Sequence, residues 1–127
     1  MPVATWPNLS ALIAPLLGTP YQTLDCWQLV QQLFQEGFGL DLLGEPAQLN
    51  TLMVEVWFQG DPRPLLSLVQ PWDCLLYSNK GLVTEHIGVV VNDYQMVHAR
   101  PQTGVVLEPL TRYRRQILQL VRLRTLV

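Results

Sequence analysis

Apolar and polar positions alternate along this chain with two different periods, and the change falls near residue 71. Before it, apolar residues recur at three- and four-residue spacing. Cys26, Leu29, Val30, Leu33 and Phe34 form an i, i+3, i+4, i+7, i+8 stripe, and Gln28, Gln31, Gln32, Gln35 and Glu36 fill the other side. That pattern predicts an amphipathic helix. Asp25 suits the N-cap, Gln28 stands where a capping box needs it, and Gly37 and Gly39 are the expected stop. Residues 8–17 read as a shorter apolar helix kinked or ended by Pro15. Residues 46–58 read as a third helix with proline in its first turn. A proline-rich loop over residues 61–71 follows.

Beyond Pro71 the period becomes two and β-branched residues dominate. Strands are expected at residues 74–77, 85–91, 95–99, 105–108 and 118–124, with one helical turn at 111–115 capped by Thr111. Helices followed by consecutive strands define an α+β fold: N-terminal helices packed on an antiparallel sheet of about five strands. At 127 residues the chain is read as one domain, residues 1–127.

Composition removes several function classes. Nearly half the residues are apolar (49%) and only 14% are charged, so a folded core is expected and disorder is not. The net charge of −2 conceals an asymmetry: residues 1–111 carry −7 and residues 112–127 carry +5, all arginine. Such a tail can dock an acidic surface, but a net-acidic domain is a poor nucleic-acid binder. No run reaches the roughly 18 apolar residues of a membrane helix. The apolar start lacks a positive flank and is interrupted by Pro15, so no export signal is read and a reducing, cytoplasmic setting is expected. Cys26 and Cys74 are then expected to stay unpaired.

Two cysteines and two histidines are the side chains able to do covalent chemistry at neutral pH. Cys26 falls at the first helical position, where free amides and the helix dipole favour a thiolate, although the Asp25 charge opposes it. On an amphipathic stripe it is equally a small core residue. Cys74 lies inside a strand-like run and is read as core. His86 and His98 bracket the most strand-like segment, and their relation depends on the turn between them. A two-residue Asn92-Asp93 loop is the stronger local signal and separates them across the sheet. A three-residue loop, Asn92-Asp93-Tyr94, pairs Gly88 with His98 and puts both on one face. The two-residue form is the ordinary expectation for Asn-Asp between valine-rich strands, and the longer form requires one of the three residues in the left-handed region.

The run Asp25-Cys-Trp-Gln-Leu-Val30 resembles the nucleophile motif of the NlpC/p60 family of papain-like cysteine peptidases. Gly18-Thr-Pro-Tyr21 resembles a segment upstream of it. His86-Ile-Gly-Val-Val-Val and Met96-Val-His98-Ala match the family's hairpin, histidine for histidine at a spacing of twelve, and Pro71-Trp-Asp-Cys-Leu-Leu-Tyr77 takes the place of a neighbouring strand. The likeness covers roughly residues 16–125 and looks most like the phage and prophage tail members. It departs in having Gln28 for the usual glycine, and only three residues between Tyr21 and Asp25.

The resemblance implies a papain-like site: Cys26 as nucleophile, His86 as general base, His98 as the group that orients His86, and Tyr21 with the Cys26 amide as oxyanion hole. It requires the three-residue hairpin loop, with the histidine-bearing face meeting the Cys26 helix and the rings within reach of each other. It implies a cysteine endopeptidase or amidase acting on cell-wall peptide stems, next to γ-linked D-glutamate, without a cofactor; the arginines are then expected to favour carboxylate-rich substrates. The competing reading is an assembly or structural module of a phage-type tail, with vestigial or partner-directed hydrolysis. A Cys/His/His zinc site is the weakest reading, because the paired ligand spacings of metal motifs are missing.

Overall fold

The computed structural model describes residues 5–44, 49–79 and 84–127. Its centre is an antiparallel sheet of six strands: β1 (Met53–Phe58), β2 (Cys74–Tyr77), β3 (His86–Val90), β4 (Gln95–Arg100), β5 (Gly104–Pro109) and β6 (Ile117–Leu123), in the spatial order β1-β6-β2-β3-β4-β5. The α+β class holds, with one strand more than expected.

Asn8 caps α1 (Leu9–Ile13) by accepting from the Ala11 N–H, and Pro15 tightens the following turn into a short 3-10 helix. α2 (Cys26–Phe38) opens on a complete capping box: Asp25 accepts from the Gln28 N–H at 2.8 Å and Gln28 Oε1 accepts from the Asp25 N–H at 3.0 Å. Gly39 ends it in the left-handed conformation. Gly37 does not stop the helix. It lies within α2, where a Cβ would sit 2.5 Å from the ring of Trp72. That ring is fully buried between Phe34 and Phe38, and its indole N–H donates to the Pro7 carbonyl.

The expected helix over residues 46–58 is corrected. Only α3 (Leu49–Leu52) is helical, its expected start lies outside the described residues, and Met53–Phe58 is edge strand β1. The alternation Met-Val-Glu-Val-Trp-Phe is strand-like, and pairing with β6, distant in sequence, decides the matter. The 61–71 loop holds one helical turn, α4 (Leu65–Leu68). The turn near residue 111 is α5 (Leu110–Tyr113), entered from Pro109 with no side-chain cap; Thr111 lies inside it.

The sheet has a core on each face. Under α1 and α2 lie Cys74, Ile87, Val89, Val91, Val97 and Val121 with Leu29, Val30, Leu33 and Phe34. On the other face Leu75, Tyr77, Val90, Met96 and Leu120 meet Leu65 of α4 and Leu110 and Tyr113 of α5. The β5 edge is covered by the chain before α2: the Gly18 N–H donates to Val105 O and the Val105 N–H to Thr19 O. Gly104, at φ +71°, lets Thr19 approach; a Cβ there would collide with the Thr19 carbonyl.

Three of the five C-terminal arginines make polar contacts within the fold. Arg122 meets the fully buried Asp73 through Nε–Oδ1 and Nη2–Oδ2 contacts of 2.8 Å each and also donates to Leu68 O. Arg112 pairs with Glu108, and Arg124 donates to Thr51 O. Burial pushes the Asp73 carboxyl upward, against the opposing pull of the Arg122 hydrogen bonds, so an unpaired carboxylate there is strongly disfavoured. Arg122→Met should therefore cost about 3 kcal/mol in urea denaturation, whereas Asp73→Asn combined with Arg122→Met should recover part of it. A double variant less stable than the single one would contradict the buried-pair account.

Candidate active site

Cys26 is half-buried at the first position of α2. The backbone N–H groups of Ile87 and Trp27 and the Tyr21 hydroxyl lie near its sulfur, and each acts to lower the thiol's pKa. The helix start is thus aimed at the beginning of β3, and the short link from Tyr21 to Asp25 brings Tyr21 to the thiol. Burial nevertheless pushes the Cys26 thiol above its usual value, and the Asp25 charge adds to this, outweighing the pull of the nearby Ile87, Tyr21 and Trp27 donors. The expected lowering by the helix terminus is overridden, and Cys26 rests as a thiol that needs a base. Gln28 does not crowd the site: it is turned back into the capping box and borders a separate glutamine-lined groove.

The thiol opens into a cleft of about 320 Å³ on the α2 side of β2 and β6. Trp27, Leu49, Leu76, Ile87 and Val121 form its apolar wall, and His86 and Glu85 bring polar groups. Among the described residues no arginine lines it. Glu85 Oε2 lies 3.8 Å from His86 Nε2.

The hairpin has the longer of the two loops. Val89 pairs with Val97 and Val90 with Met96, and the Val91 N–H donates to Gln95 O at 2.9 Å, leaving Asn92-Asp93-Tyr94 as the turn. No residue of this turn has positive φ, contrary to expectation. Asn92 Oδ1 closes it instead by accepting from the N–H groups of Tyr94 and Gln95. His86 and His98 therefore share a face. It is the face of Val90 and Met96, which α2 does not cover, so the expectation that the histidine-bearing face meets the helix is corrected; Ile87, Val89 and Val91 are buried under the helix instead. Cys26 meets β3 at its first residues, and there His86 reaches the cleft.

His98 does not hydrogen-bond His86. Fully buried, it has Nδ1 bonded to the Tyr77 hydroxyl and Nε2 at 2.8 Å from Glu108 Oε1. The Tyr77 ring packs against both histidines, 5.2 Å from His86 and 5.8 Å from His98 by ring centroids. Glu108 also accepts from Tyr113 at 2.8 Å, Arg100 at 3.2 Å and Arg112. Burial works against this carboxylate, but the hydrogen bonds from His98, Tyr113 and Arg112 hold it at about 2. Burial likewise pushes His98 down, against the upward pull of Glu108, so His98 is neutral near pH 7. With both nitrogens of His98 engaged, Cys26, His86 and His98 do not converge as a metal site, and among the described residues no other such cluster forms. Sequence reading missed Tyr77, Glu108 and Tyr113. The available signal was an acid inside the strand-like run Val105-Val-Leu-Glu108, four residues before Arg112.

This geometry belongs to a recognisable class. The family model for the NlpC/P60 family matches residues 16–122, and the chain belongs to that family. No curated protein is matched by sequence. Among solved structures the chain is similar to the NlpC/p60 domain of the peptidoglycan hydrolase SagA, with TM-score 0.69 and 18% identity over 97% of this chain and all of that one. It is also similar to an NlpC/P60 protein from Bacillus cereus (TM-score 0.72, 18% identity, 91% of this chain) and to NlpC2 from Trichomonas vaginalis (0.61, 19%, 88%). It spans only 39% and 44% of those two chains. At such identities the likeness is one of fold.

Two outcomes follow. Cys26 should be the thiol alkylated by iodoacetamide near neutral pH, because Cys74 is fully buried and burial drives its thiol far upward; faster labelling of Cys74 in the folded protein would reverse the assignment. The depressed Glu108 carboxyl should contribute stability above its ordinary value of 4.5 and lose it as pH falls toward 2. The stability gap between wild type and Glu108→Gln should therefore narrow as pH drops below about 4.5 in denaturant titrations. A gap independent of pH would show that Glu108 is not held as a carboxylate.

Proposed function

We propose that this protein is a cysteine peptidase or amidase that hydrolyses amide bonds in the peptide stems of peptidoglycan. The observation that carries the reading is that Cys26 and His86 line one cleft, with the Tyr21 hydroxyl near the thiol. Support for the substrate class comes from family membership and from the fold shared with the SagA domain, itself part of a peptidoglycan hydrolase.

The proposed chemistry follows from the resting state. Cys26 holds its proton, so His86 accepts it as the sulfur attacks the carbonyl carbon, and the carbonyl oxygen takes the negative charge. The Cys26 N–H at the helix start and the Tyr21 hydroxyl are the donors for that oxygen. Collapse of the tetrahedral intermediate breaks the C–N bond, His86 returns the proton to the departing amine, and a thioester remains on Cys26. Water, deprotonated by His86, then cleaves the thioester and restores the thiol. His98 stands behind His86 as the third member of the set.

A digest of purified muropeptides read by mass spectrometry tests this directly. Wild-type protein should release fragments with a new amine terminus, and Cys26→Ala and His86→Ala should each lower the rate by at least about a hundredfold. Undiminished release by Cys26→Ala would end the reading.

A further inference from the structure

We propose that Tyr77 is the positioning residue for His86, and that its ring, rather than a nitrogen of His98, holds the imidazole while a buried Tyr77–His98–Glu108 chain holds the ring. The proposal rests on His86 serving as the base for Cys26.

Tyr77 and His86 are directly opposite partners in the β2–β3 register, so their side chains leave the sheet on the same face within stacking reach. The rings lie 5.2 Å apart at an interplanar angle of 28°, an offset-stacked arrangement. The two partners differ in freedom. His86 stands at the cleft with its side chain 25% exposed, whereas Tyr77 is 3% exposed and packed among Leu75, Met96 and Tyr113. A mobile ring is therefore laid on a fixed one.

What fixes Tyr77 is a chain of hydrogen bonds with one direction. Glu108, as a carboxylate, only accepts, so His98 Nε2 must carry the proton it donates to Oε1. In the neutral imidazole Nδ1 is then a lone pair, and the Tyr77 hydroxyl donates to it. Tyr113, Arg100 and Arg112 tie down the far end by donating to the same carboxylate. Direct orientation of His86 by His98 is precluded, because neither His98 nitrogen is free. Slipping the His86 ring sideways forfeits the stack, and Tyr77 has no room to follow.

The test reads alkylation of Cys26 against pH in the full chain, which needs no substrate. His86→Ala should slow alkylation at pH 7 by about tenfold or more and move its pH limb upward. Tyr77→Leu should do the same, whereas Tyr77→Phe, which keeps the ring and loses the hydroxyl, should stay within about threefold of wild type even if less stable. A folded Tyr77→Leu with a wild-type profile, beside an altered His86→Ala, overturns the positioning role and leaves the base assignment standing. Equal damage by Phe and Leu also overturns it, since the ring would then be insufficient. An unaltered His86→Ala removes the base assignment and this proposal together. NMR of wild-type protein adds a readout needing no variant: His98 should be the neutral Nε2–H tautomer above neutral pH, with NOEs between the Tyr77 and His86 rings. Absent NOEs, or an Nδ1-protonated His98, contradict the chain.

Discussion

The contact on which the rest depends is the meeting of the α2 N-terminus with the first residues of β3. A helix start presents unbonded amides, and here the capping box satisfies those of Asp25 and Gln28 without using the thiol. That leaves the Cys26 side chain free to face the start of β3, with the Ile87 backbone N–H near its sulfur. Core packing makes this placement rigid. Leu29, Val30, Leu33 and Phe34 bury against Ile87, Val89 and Val97, and Trp72 wedges beneath Gly37. Trp72 keeps φ at 75°, unusual for a bulky residue, under the Val90 carbonyl that accepts its N–H.

The second face of the sheet supplies what the helix lacks. Beside its small core lie a carboxylate, an imidazole and two phenols, linked in one hydrogen-bonded chain Tyr77–His98–Glu108–Tyr113. Such a group is costly to bury unless every member is satisfied, and Glu108 meets that condition with four side-chain donors. The two faces communicate at His86, which begins a strand sandwiched between them. Burial also sets the sulfur's resting state, since desolvation keeps Cys26 protonated, and the proposed chemistry therefore requires a base.

Legibility in the sequence followed how local the determinants are. The α2 stripe, the Asp25–Gln28 cap and the strands of the β3–β4 hairpin depend on neighbours within a few residues, and all were readable. The hairpin loop was readable only as two alternatives, because Asn92 closes the turn through its side chain rather than through a left-handed residue. β1 was hidden because its alternation gains meaning only from β6, far along the chain. The thiol's raised value was hidden for a similar reason: the helix terminus is visible in sequence, the depth of its burial is not. Tyr77 and Glu108 lie 31 positions apart and meet through His98 only once the four strands β2 to β5 are in register, so their network had no linear signature. The five C-terminal arginines show the converse, an apparent basic tail whose Arg112 and Arg122 are internal ion-pair partners.

Covalent chemistry at Cys26 is the central claim, and it is open to direct observation. Protein turning over a muropeptide can be quenched in acid, which preserves thioesters, and its intact mass and peptide map recorded within the first turnovers. The account requires an acyl adduct on the peptide bearing Cys26 that forms and decays with the rate of product release. Product accumulating with no adduct there, or an adduct confined to another side chain, would contradict it.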